Sequence, residues 1–67
     1  MRHVTPQRLE DEATARDWRL VRINGSHHIL KSYDGRLTVV IPFHRGTLAP
    51  GTQRSIMRTL GITDDDL

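Results

Sequence analysis

Residues 18–42 read WRLVRINGSHHILKSYDGRLTVVIP, and this stretch decides the fold. Trp18 to Ile23 alternates apolar and polar side chains, the period of a strand with one buried face. Asn24-Gly25 follows, a pair that accepts the positive φ values of a two-residue hairpin turn. A second strand is expected over about His27–Ser32. Asp34-Gly35 is another hairpin signal, and a third strand is expected over about Arg36–Ile41. Pro42 ends it, because proline brings no N–H to a ladder. Three strands joined by two short turns make an antiparallel meander.

Working outward, Thr5 and Pro6 have the chemistry of a helix start, with Thr as N-cap and Pro at the first helical position. A helix is expected from Pro6 to about Arg16, with Leu9 and Ala13 as its thin apolar stripe. Glu10, Asp11 and Glu12 are expected in its first turns, where negative charge suits the helix dipole. Phe43 to Pro50 reads as a loop. A second helix is expected from about Gly51 to Leu60, burying Ile56, Met57 and Leu60 and capped near Gly51 and Thr52. Gly61 is a natural left-handed stop, over which Ile62 folds back. Residues 63–67 form an acidic tail expected to fray. The order is α-β-β-β-α, an α+β class. Both helices on one face of the sheet bury one core and leave the other face to water or a ligand. This element order resembles that of the double-stranded-RNA-binding domain.

The chain has 67 residues, enough for one small domain, with its core over about residues 5–62. It has no cysteine, hence no disulfide framework and no thiolate metal site. No segment is apolar and long enough for a signal peptide or a membrane span, which fits a cytoplasmic protein. A domain this small without staples gains stability from a permanent protein partner. The net charge is +2, but residues 18–60 carry seven basic residues against one acid, Asp34. A basic middle between acidic ends suits a polyanion ligand.

His27 and His28 are adjacent, so on a strand one faces the helices and the other the open side. Histidine titrates near neutral pH and can exchange a proton there. Gly25 serves the turn whatever the function. Ser26 either bonds the turn backbone or reaches a phosphate; as a nucleophile it lacks an oriented base. His44, just past the third strand, is a second proton donor, a phosphate contact, or a loop residue holding backbone. Trp18 suits the core better than a base stack. A zinc site from His3, His27, His28 and His44 has no supporting spacing. A two-metal nuclease needs a carboxylate cluster that the basic middle lacks. RNA can be cut without metal, because its 2′-OH attacks its own 3′-phosphate. The protein then only positions the phosphate, moves protons and stabilises charge.

Four segments carry a family resemblance: Trp18-Arg-Leu-Val-Arg22, Gly25-Ser26-His27-His28, Val40-Ile-Pro-Phe-His44, and Gly51-Thr-Gln-Arg-Ser-Ile-Met-Arg-Thr-Leu-Gly61. In order and spacing the chain resembles the HicA (YcfA-like) toxins of toxin–antitoxin modules. The resemblance implies a metal-independent, cofactor-free endoribonuclease that cuts mRNA and is neutralised by a HicB-type antitoxin. The histidine after the Gly-Ser pair, His27, is then the catalytic residue, with His28 the alternative. Gly25, Ser26, Arg22, Lys31 and His44 would bind substrate. The family usually has glycine before the tryptophan, where this chain has Asp17. A non-catalytic RNA-binding module of the same fold is the competing reading.

Overall fold

The computed structural model describes residues 2–67. Thr5 opens the first helix as expected: its side chain accepts a hydrogen bond from the Arg8 N–H at 3.2 Å, and Pro6 takes the first helical position. This helix, α1, spans Pro6–Ala15. Leu9 and Ala13 are fully buried. The three acids lie beyond its first turn, so the dipole expectation fails. They bond side chains instead: Asp11 accepts from Gln7 at 2.9 Å, and Glu12 bridges Arg8 at 3.0 Å and Arg16 at 2.7 Å.

Between α1 and the sheet the backbone turns through Asp17 at φ 67°, the only non-glycine residue in the left-handed region among the described residues. An L-side chain strains this conformation, and aspartate is one of the few that tolerate it. Trp18 then tucks into the core, 7% exposed.

Strands β1 (Arg19–Asn24), β2 (His27–Lys31) and β3 (Thr38–Pro42) form one antiparallel sheet in the order β1-β2-β3. The first hairpin closes one residue later than its sequence suggested. Asn24 pairs with His27, so the loop residues are Gly25 and Ser26. Gly25 has φ 62° and Ser26 is not left-handed. Positive φ at the first loop position alone belongs to the II′ turn, which wants glycine there. The second hairpin is longer: Ser32 and Leu37 close it through the Ser32 N–H and the Leu37 carbonyl at 3.0 Å. Asp34 organises this loop by accepting from the Arg36 N–H at 3.0 Å and the Ser32 hydroxyl at 2.8 Å. Those bonds, the backbone one first, hold its carboxyl below its ordinary pKa of 3.8. The third strand therefore starts at Thr38, two residues later than expected.

Helix α2 spans Pro50–Leu60. Pro50, not Gly51, starts it, and Ala49 at the N-cap makes no side-chain cap bond. Gly61 stops it at φ 76°, and the Ile62 N–H returns to the Met57 carbonyl at 3.0 Å. Both helices cover the same side of the sheet. Leu9, Ala13, Ile56, Met57 and Leu60 meet Leu30, Val39 and Ile41, closed by Trp18, Leu48 and Ile62. A fully buried leucine contributes about 2 kcal/mol, so Leu9 and Leu30 anchor the two layers. Leu48 enters this core from the segment read as a plain loop and is 2% exposed. Gln53 is fully buried too; it accepts from the Val4 N–H at 3.2 Å and donates to the Arg2 carbonyl, pinning the N-terminal segment against α2. The acidic end, expected to fray, takes a 3₁₀ turn over Asp64–Asp66, with Asp66 3.3 Å from Arg16.

Candidate active site on the open sheet face

The pairing register and the two-residue alternation of strands sort the side chains onto two faces. His28 and Leu30 lie opposite Ile41 and Val39, on the helix side. The other face consists of three cross-strand rows: Asn24, His27 and Pro42; Arg22, Ile29 and Val40; Arg19, Lys31 and Thr38. None of these nine residues is acidic, and the one aromatic ring among them is the His27 imidazole. Arg19, Arg22 and Lys31 have no acidic partner among the described residues. The face is therefore a cationic plate around a small apolar centre, with one exposed imidazole at its turn end.

A bulge makes this plate. Strict alternation would put Arg19 and Arg22 on opposite faces, but the register shifts between Leu20 and Arg22. The extra residue returns Arg22 to the side of Arg19.

The two adjacent histidines have unlike surroundings. His27 is exposed at the start of β2, beside the turn formed by Gly25 and Ser26. His28 points at the helices. Its Nδ1 lies 2.7 Å from Glu10 Oε1 on α1, and the two side chains are 18% and 15% exposed. The His28 ring also stacks on Phe43, with centroids 3.6 Å apart and planes 15° off parallel. His28 is thus a tie between α1, β2 and the residue after β3. Neither Glu10 nor Phe43 was named as its partner from the sequence. The only trace was an acid on α1 on the side of Leu9 and Ala13.

Of the other residues singled out, Arg22 is a diagonal neighbour of His27, while Lys31 shares its face two rows away, about 13 Å along the strand. The Ser26 carbonyl accepts from the Phe43 N–H at 2.6 Å, so Ser26 ties the turn to the end of β3. His44 is exposed, and its Nδ1 lies 2.9 Å from the Arg45 carbonyl. Asp34, the only acid in the basic middle, sits at the opposite end of β2 from His27. No helix among the described residues is long and apolar enough to cross a membrane.

Chemically, such a plate can hold a polyanion by its phosphates and bring one imidazole to it. It carries no Phe, Tyr or Trp on which bases could stack. No curated protein matches this chain at a significant level. The profile described as the HicA toxin of bacterial toxin–antitoxin systems matches residues 8–62, which takes in α1 from its third residue, the whole of α2, all three strands and the whole plate. The chain belongs to the HicA toxin family and is a toxin of a toxin–antitoxin system.

Proposed function

We propose that this toxin is an endoribonuclease that cuts mRNA in the cytoplasm without a metal ion, with His27 moving the proton. One observation carries the reading: His27 is the imidazole left free on an acid-free cationic face, while His28 is tied to Glu10 and Phe43. Arg22 and His44 would hold the reacting phosphate, and Lys31 with Arg19 the strand beyond it. Gly25 and Ser26 set the turn that presents His27. The face has no carboxylate with which to hold a divalent cation, but RNA brings its own nucleophile in the 2′-OH. A positioned acid–base group contributes about 10²–10⁴-fold. A HicB-type antitoxin would neutralise the toxin by covering this face.

The test is cleavage of RNA by the purified toxin in EDTA, beside a DNA strand of the same sequence and beside His27→Ala. Cleavage of RNA alone, lost in His27→Ala, is the expected result. An active His27→Ala protein, or activity abolished by EDTA, would overturn the assignment.

A further inference from the structure

Cleavage by the 2′-OH is an in-line displacement: the attacking and leaving oxygens stand on opposite sides of phosphorus. One imidazole cannot take the proton at one side and give it at the other in a single step. A second proton-transfer group has to stand on the same face. The four histidines narrow the choice. His3 lies between Arg2 and Val4, both bonded to Gln53 behind the sheet. His28 faces the helices. His44 remains.

Its placement follows from the backbone. Pro42 is opposite His27 on the open face. Phe43 carries the ladder one residue further through its bond to Ser26, and its ring lies on the helix side against His28. Continued two residues past the end of β3, strand alternation would put His44 on the open side, diagonal to His27. Diagonal cross-strand neighbours stand about 7–8 Å apart, which leaves room for a phosphodiester between the rings. The Arg45 carbonyl can only accept, so His44 Nδ1 must carry the hydrogen in their 2.9 Å bond. The neutral ring then presents a bare Nε2, the form a general base needs.

We propose, building on the ribonuclease reading, that His44 is the general base and His27 the general acid of this site. The 2′-O–H gives its proton to His44 Nε2 as the 2′-oxygen bonds to phosphorus. The bond from phosphorus to the 5′-oxygen breaks, and that oxygen takes a proton from the His27 imidazolium. The products are a 2′,3′-cyclic phosphate and a 5′-hydroxyl. Water later returns the two rings to their starting protonation states.

The test compares wild type, His27→Ala, His44→Ala and His44→Gln on two RNAs: an ordinary strand, and one whose scissile 5′-oxygen is replaced by sulfur. The thiolate leaves without a proton. His27→Ala should lose about 10²-fold or more on ordinary RNA and recover on the sulfur strand. Both His44 variants should lose activity on both strands, by far more than they weaken binding of a 2′-deoxy-blocked RNA. Wild-type rates in the His44 variants, a His44 defect rescued by sulfur, or a loss of binding that accounts for the loss of rate would each overturn this division of labour. His27→Ala cutting ordinary RNA at full rate would instead overturn the ribonuclease site itself.

Discussion

Replacing His28 by alanine should unfold this domain more easily without touching the chemistry directly, and replacing His27 should do the reverse. The His28 ring is mostly buried, stacks on Phe43 and meets the Glu10 carboxylate at 2.7 Å. The stack contributes about 0.5–1.5 kcal/mol. A hydrogen bond to a charged group contributes about 1.5–3 kcal/mol, and alanine leaves Glu10 half-desolvated with no partner. Together His28→Ala should cost about 2–4 kcal/mol, against a total of about 3–10 kcal/mol for a chain of 67 residues. With a urea slope near 1 kcal/mol/M, the midpoint should fall by about 2 M or more. Trp18, buried beside α1, reports the transition by fluorescence. His27→Ala removes an exposed side chain and should stay within about 0.5 kcal/mol of wild type. A cycle with Glu10→Gln should show coupling of about 1 kcal/mol or more. If His28→Ala melts at the wild-type midpoint yet no longer cuts RNA, the roles of the two imidazoles are exchanged and the reasoning fails.

Four further outcomes follow from particular contacts. Gly25→Ala meets no neighbouring atom but forces an L-residue to φ 62°, so it should cost about 1–2 kcal/mol in the same urea assay; an unchanged midpoint would mean the turn relaxes. Asp17→Val, at φ 67°, should cost a similar amount, while Asp17→Gly should stay within about 0.5 kcal/mol of wild type; a well-tolerated valine would contradict the left-handed assignment. Gln53→Leu leaves the Val4 N–H and the Arg2 carbonyl without partners and should cost about 1–3 kcal/mol, with faster hydrogen exchange at Val4. Asp66 is held below its ordinary pKa of 3.8, first by the Thr63 N–H and then by Arg16. Its contribution to the C-terminal turn is therefore present above that value and lost as pH falls through the lower folded value. Thr63 amide exchange should show that acid transition, and Asp66→Asn should abolish it.

The layers of this fold were legible because its strongest signals are local. Apolar spacing picked out Leu9 with Ala13, and Ile56 with Met57 and Leu60. Glycine and proline punctuated the strands and stopped α2. The errors lie where one residue changes the geometry. Asn24-Gly25 looked like the loop of the first hairpin, but Asn24 pairs and Gly25 begins the loop, because the chain uses the turn with left-handed backbone at one position only. The acids of α1 looked like dipole partners and instead reach Arg8, Arg16 and His28. Gln53 shares the helical stripe of Ile56, Met57 and Leu60 but is polar, and Leu48 lies outside any periodic run, so the burial of both was hidden until the N-terminal segment was seen to cross α2. At the site, sequence could say that the adjacent histidines face apart but not which faces out. That needed the register, and the bulge that gathers Arg19 and Arg22 onto one side is a tertiary feature.

The hairpin also sets a parity rule. Two adjacent histidines on a strand of period two occupy an odd and an even seat, and His28, two residues before the buried Leu30, is thereby bound to the helix side. Inserting or deleting one residue in the Gly25-Ser26 loop, with β2 held in place by Leu30, leaves both histidines in their seats and shifts the register of β1 against them instead. Arg19 and Arg22 would then turn away from the face that carries His27, unless the bulge between Leu20 and Arg22 took up the step. Loop length is a digital instruction in this hairpin: a single step moves the cations of β1 relative to the imidazole of β2 without altering one functional side chain.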